Sequence, residues 1–104
     1  MQTQITARGF DTSDTLRDHV VASLTKLDRL YNGIQDARVT LSTSDAGQYQ
    51  KKAEVALNLR QQTLTVSSTG KRHEDAVADC VRQLRRQVIR HKDRVRSVKQ
   101  DRHR

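Results

Sequence analysis

Apolar residues in this chain change their spacing twice, and those changes set the order of its structural elements. Leu16, Val20, Leu24, Leu27, Tyr31 and Ile34 recur at steps of three and four, the stripe of an amphipathic helix of about five turns. A period of two follows. Val39 and Leu41, then Ala53, Val55, Leu57 and Leu59, then Leu64 and Val66, alternate with polar neighbours, which predicts three strands with one buried and one wet face. From His73 or Glu74 the helical step returns through Val77, Val81, Leu84, Val88, His91, Val95 and Val98. A weaker alternation of Thr3, Ile5 and Ala7 predicts a short strand over residues 2–8. The expected order is β-α-β-β-β-α, an α+β fold with a four-stranded antiparallel sheet and two helices on its one apolar face.

Local signals agree with these periods. Asp11, Thr12, Ser13 and Asp14 offer capping oxygens and first-turn acids for the first helix, and Gly33 is a candidate terminator that leaves Ile34 just beyond it. The four glycines, Gly9, Gly33, Gly47 and Gly70, fall where elements change, and polar turns are expected at Ser44–Gln50 and Gln61–Gln62. A chain of 104 residues makes one domain, burying roughly two-thirds of its unfolded surface. With 34% hydrophobic and 31% charged residues, its core is small.

The charge is unevenly placed. Residues 1–81 carry ten basic and ten acidic side chains; residues 82–104 carry ten Lys/Arg against Asp93 and Asp101. The net charge of +8 therefore belongs to the second helix and a basic segment beyond it, drawn at 94–104 after a domain at 1–93. On a wheel centred on Leu84, Arg82 and Arg86 point away from the core, with Arg85, Lys92 and Arg96 on one flank and Arg90 and Arg94 on the other. Lys26 and Arg29 stand off the first helix's stripe, among Asp14, Asp18 and Asp28, while Lys71 and Arg72 precede the second helix. Mixed charge on a helix face is ordinarily just solvated. Ten cations to two acids repel one another unless a polyanion neutralises them, and such a surface specifies phosphate without specifying which nucleic acid. Phe10, Tyr31 and Tyr49 are all the aromatics, too few for a platform that stacks several bases. Duplex or folded RNA read through its backbone is the better fit.

Other chemistry finds little support. His19, His73, His91 and His103 are scattered, with no Cys or carboxylate at ligand spacing, so no metal or other cofactor is expected. The acids of His73-Glu74-Asp75 open a helix, where acids ordinarily cap. Cys80 has no histidine near it in sequence and sits beside the apolar seam; it reads as a buried structural thiol, and as a lone cysteine it permits no internal disulfide, which suits a reducing compartment. His91, the polar residue on that seam, reads as an imidazole edge where the helix leaves the core. No basic n-region with an apolar run, and no apolar stretch of membrane length, is present. The expectation is a cytoplasmic, non-enzymatic protein with no small-molecule substrate and no membrane contact.

Several motifs in order give a resemblance. Leu16-Arg17-Asp18-His19-Val20, continuing through Leu24, Lys26-Leu27-Asp28-Arg29 and Tyr31, is followed by Ala53-Glu54-Val55 with Leu57. Gly70-Lys71-Arg72-His73-Glu74-Asp75, Ala76-Val77, Leu84-Arg85-Arg86-Gln87-Val88 and Arg90-His91-Lys92 come next. From about Ile5 to Lys92 the chain resembles the short form of the ribosome hibernation promoting factor and ribosome-associated inhibitor family, also called sigma-54 modulation proteins. It departs in lacking an aromatic shortly before Ala76, and in Ala78 and Gln83, where the family has an acid or amide and a lysine.

The resemblance implies a fold akin to double-stranded RNA-binding domains. It also implies binding to the small ribosomal subunit and its 16S rRNA, in the channel of messenger RNA and the A- and P-site transfer RNAs. Translation would be blocked in stress or stationary phase, with ribosome dimers promoted by some members. Arg8, Lys26, Arg29, Lys71, Arg86, Arg90 and Lys92 fall on the family's basic positions, making them candidate rRNA contacts. Arg82, Arg85, Arg94 and Arg96 join them from the exposed basic face alone. A monomer off the ribosome is expected. The competing readings are a general double-stranded RNA-binding module and a module that docks an acidic protein or anionic membrane.

Overall fold

A computed structural model describes residues 1–43 and 50–102, with side chains as far as Arg96. The elements are β1 (Gln2–Ala7), α1 (Asp14–Asp28), β2 (Ile34–Thr43), β3 (Lys51–Leu59), β4 (Thr63–Gly70) and α2 (His73–Arg102). Apart from Gln50, the turn expected at Ser44–Gln50, with Gly47 and Tyr49, lies outside the described residues, as do the side chains of Val98, Lys99 and Arg102 and residues 103–104.

The strands form one sheet in the order β1-β2-β3-β4. It is mixed, which corrects the expectation of an antiparallel sheet: β1 runs parallel to β2, from Gln2↔Asp36 to Ala7↔Leu41, and the other two pairs are antiparallel. The cause is the intervening helix. A chain that leaves β1, returns along α1 and re-enters beside β1 must run in the same direction, whereas a tight turn reverses it. Such a turn joins β3 to β4, closed by the Leu59 N–H donating to the Gln62 carbonyl at 2.8 Å.

One face of the sheet is apolar. Val39, Val55 and Val66 sit in register across β2, β3 and β4, flanked by the row Ala37, Leu57 and Leu64, and all six are buried. α1 contributes Val20, Leu24 and Leu27; α2 contributes Ala76, Val77, Cys80, Leu84 and Val88. α2 lies over β3 and β4, with α1 beside it. Each fully buried leucine contributes about 1.5–3 kcal/mol through removal from water. The outer face bears Arg38, Thr40, Glu54, Thr65 and Ser67, the polar pleated surface expected from the alternation.

Ser13 caps α1, its Oγ accepting from the Leu16 N–H at 3.1 Å. The helix is shorter than its apolar stripe: it ends at Asp28, with Arg29 as C-cap. Leu30 and Tyr31 continue the stripe as a packed turn outside the helix, partly buried against the core. Gly9, just after β1, has a φ of +84°, a conformation that costs other residues free energy. At Gly33 the constraint is space, because the Tyr31 ring folds back over it and occupies the place of a Cβ.

Gly33→Ala is therefore expected to displace Tyr31 and destabilise the domain by about 1–3 kcal/mol, the usual cost of overpacking. Urea unfolding checks this; a loss of only a few tenths would mean that the ring is not seated on residue 33.

Candidate nucleic-acid interface

Seating the apolar seam of α2 on the sheet decides where its cations go. With Val77, Cys80, Leu84, Val88 and His91 turned inward, Arg82, Arg85, Arg86, Arg90, Arg94 and Arg96 are exposed and Lys92 is half-buried. From Arg82 to Arg96 they span about 21 Å along the axis. Arg82, Arg86, Arg90 and Arg94 follow one another at i,i+4, an arrangement of like charges that costs about 0.2–0.5 kcal/mol per pair. Arg82 alone of the eleven predicted contact residues has an ion pair among the described residues, its Nη2 lying 3.1 Å from Asp79 Oδ1. Asp79 is held below the usual carboxylate range by hydrogen bonds from Ser68, Gln83 and Arg82, and it ties α2 to β4 through Ser68 Oγ at 2.7 Å.

The cations are brought together in three places. On the β4 side of α2, Arg86 and Arg90 line a shallow cleft of about 270 Å³ with Gln83 and Gln87; Gln83 Nε2 donates to the Ser67 carbonyl at 3.4 Å. On the α1 side, Lys92 and Arg96 meet Arg29 around a cleft of about 410 Å³. The third group stands where α2 begins. Arg8 follows β1, its N–H donating to the Leu41 carbonyl at 2.8 Å, while the neighbouring Ser42 carbonyl accepts from His73 Nε2 at 3.0 Å. His73 stacks on Phe10, ring centroids 4.7 Å apart and planes inclined by 12°. This pair, with His73 buried and Phe10 partly so, joins the end of the sheet to the start of α2, so Arg8 and the exposed Lys71 lie at that end, away from Arg29 and Arg96. Arg72 there is occupied by Glu74 at 2.6 Å, which pulls the carboxyl below its ordinary value. Lys26 and Arg85 are exposed on their helices and line none of these clefts.

Cys80 is fully buried, its Sγ 3.6 Å from the Ala53 carbonyl. Burial, with Asp79 and Glu54 adding to it, pushes its thiol up to about 11, which fits a structural thiol. Among the described residues no three His, Cys, Asp or Glu side chains gather as a metal site, and no helix is long and apolar enough to cross a membrane.

His91 is the buried imidazole edge expected on the seam, and it does more than fill space. Gln62 Nε2 lies 2.8 Å from Nδ1, and Gln61 Oε1 3.2 Å from Nε2. An amide donor facing Nδ1 and an acceptor facing Nε2 assign the proton to Nε2. Tyr31 Oη lies 3.4 Å from that nitrogen, the two rings meeting edge to face. One side chain of α2 thus fixes the turn after α1 and the β3–β4 turn. Burial, helped by nearby Arg94, depresses its pKa below the ordinary 6.5.

The latch exposes what the one-dimensional reading missed. Tyr31 and Arg60 belong to the basic end of the molecule, lining with Asn32, Gly33, Gln61 and Val95 a cleft of about 230 Å³. Neither stands on α2, and no spacing in the sequence links the β3–β4 turn to that helix. The family motif contained Tyr31 but only as a stripe residue.

Compared with known proteins, residues 3–96 match the family described as sigma 54 modulation protein / S30EA ribosomal protein. The fold is similar to the crystal structure of the Thermus thermophilus Protein Y N-terminal domain, with a TM-score of 0.79 and 27% identity, covering 88% of this chain and 99% of that one. It is also similar in fold to a ribosomal subunit interface protein from Coxiella burnetii, with a TM-score of 0.79 and 18% identity, covering 89% of this chain and 99% of that one. Among curated protein sequences none matches.

A histidine held neutral makes folding sensitive to acid. Below pH 6.5 the unfolded chain takes up a proton that folded His91 resists, so stability falls as pH drops through that value. Urea unfolding at pH 7.5 and 5.5 is expected to show wild type losing more stability than His91→Gln, the other titrating groups being common to both. An equal loss in the two proteins would contradict a neutral His91.

Proposed function

The chain belongs to the sigma 54 modulation protein / S30EA ribosomal protein family, and from that premise we propose that it is a ribosome hibernation factor. It docks on the small ribosomal subunit through 16S rRNA, in the channel that messenger RNA and the A- and P-site transfer RNAs use, and inactivates translation in stress or stationary phase. The observation that carries this reading is the exposed face of α2, where a row of arginines lacks carboxylate partners among the described residues except at Arg82. The i,i+4 arginine row is destabilising in the free protein; rRNA phosphates relieve that repulsion. The family's description as a ribosomal protein supports placing the partner on the ribosome.

The mechanism needs no bond to be made or broken. Guanidinium and ammonium groups hold phosphates, counterions are released, and the bulk of the domain excludes competing RNA. Arg86 and Arg90 bind on one side of α2 and Arg29, Lys92 and Arg96 on the other; Arg8 and Lys71 extend the contact to the start of the helix. Lys26, Arg82, Arg85 and Arg94 complete the footprint. Most of the docking surface lies within residues 1–93, and Arg94 and Arg96 open the basic segment 94–104 that extends the contact along rRNA, a feature suited to the dimer-promoting short forms. The protein works in the cytoplasm as a monomer until it meets the subunit.

Co-sedimentation with purified small subunits tests this. Wild type is expected to bind saturably and near-stoichiometrically, and the Arg86→Glu/Arg90→Glu/Lys92→Glu variant to lose binding while remaining folded by circular dichroism. Single Arg86→Ala or Arg90→Ala changes are expected to lower the log–log salt slope by about 0.7–0.9 each. A wild-type protein that ignores subunits yet retards naked RNA duplexes would replace the proposal with a general double-stranded RNA-binding module.

A further inference from the structure

The clefts beside Tyr31 are two halves of one saddle. They share Tyr31, Asn32 and Val95, so the ring stands between them. On one side are Arg29, Lys92 and Arg96; on the other, Arg60. Leu30 and Val95 provide apolar wall, and the side-chain amides of Asn32 and Gln61 can each donate and accept. Among the described residues no carboxylate lines either half. Asp28, the nearest acid in sequence on α1, is directed to the Met1 amino group at 3.8 Å, and Asp93 is exposed on α2. The larger half, about 410 Å³, falls within the range of about 300–1,000 Å³ typical of small-ligand sites.

The saddle is also preformed. His91 holds Tyr31 Oη at 3.4 Å, and the ring's seat over Gly33 leaves no room for a side chain there. An aromatic ring fixed before binding, walled by apolar side chains, flanked by amides and ringed by cations matches the parts of a nucleotide: base plane, base edge and phosphate. A smooth duplex presents only phosphates to such a notch. We infer that the Tyr31 saddle takes a single unstacked nucleotide of the bound RNA, its base against Tyr31 and its phosphates among Arg29, Lys92, Arg96 and Arg60. This deepens the ribosomal reading and rests on RNA being the partner. Chains with few aromatics cannot stack a run of bases, but one ring is enough for one base.

Two labelled RNA hairpins, one with a fully paired stem and one with a single unpaired adenosine in that stem, provide the test by fluorescence anisotropy. Wild type is expected to favour the bulged hairpin about tenfold, as stacking of one base allows. Tyr31→Phe, which keeps the ring, is expected to retain that preference; Tyr31→Leu is expected to bind both hairpins alike. With 2-aminopurine as the unpaired base, wild type is expected to quench its fluorescence on binding. Equal affinity of wild type for the two hairpins, no quenching, or a preference that persists in Tyr31→Leu would each overturn the inference, and the wild-type readings decide it even if Tyr31→Leu does not fold. Small-subunit co-sedimentation by the same wild-type preparation separates the outcomes. Subunit binding without bulge preference removes the saddle and leaves the ribosomal reading; a bulge preference without subunit binding removes that reading and leaves the saddle.

Discussion

The seating of one face of α2 on the sheet is the contact from which the rest of the structure follows. Val77, Cys80, Leu84, Val88 and His91 close the core, and a helix fixed through that seam has no choice about where its other residues point. Its cations form a surface because its apolar residues form a lid. Coupling the two roles in one helix gives the basic surface a rigid support, which positions charged groups better than a loop does. It also concentrates like charge on an element that must stay folded. Asp79, with its links to Ser68, Gln83 and Arg82, offsets part of that repulsion near the middle of the contact with β4.

His91 extends the same logic to the far end. There α2 leaves the sheet, and a purely apolar residue would cover neither turn. An imidazole with Gln61, Gln62 and Tyr31 around it satisfies its own polar atoms and fixes two connections at once. The cost is sensitivity to acid, since a protonated ring cannot accept from Gln62. At the opposite end His73 serves a similar purpose with Phe10 and the Ser42 carbonyl. Both histidines are buried, and both join elements distant in sequence.

Much of this was legible in the residues. The change from helical to alternating period and back located the elements, because one-sided burial imposes those periods directly. Charge counted along the chain found the face of α2. Parallel pairing of β1 and β2 lay in the order of the elements, through the helix between them, and not in the alternation, which shows which side of a strand is buried and says nothing of its direction. The end of α1 at Asp28 was obscured because Tyr31 keeps the helical stripe although the chain has left the helix. Arg60 and Tyr31 were invisible as surface partners of α2 for a related reason. Their neighbourhood is created by the His91 latch, and a tertiary latch leaves no period. The resemblance to a known family reached the cations of α2 and the loop before it, but not the turn that meets them.

The central claim is that the exposed side of α2 faces 16S rRNA inside the mRNA and tRNA channel. Hydroxyl-radical footprinting of small subunits saturated with the protein tests it most directly. The account predicts protection of backbone positions lining that channel, with the protection lost when Arg86, Arg90 and Lys92 carry reversed charge. Protection confined to the solvent side of the subunit, or a channel footprint unchanged by reversing those three charges, would contradict it.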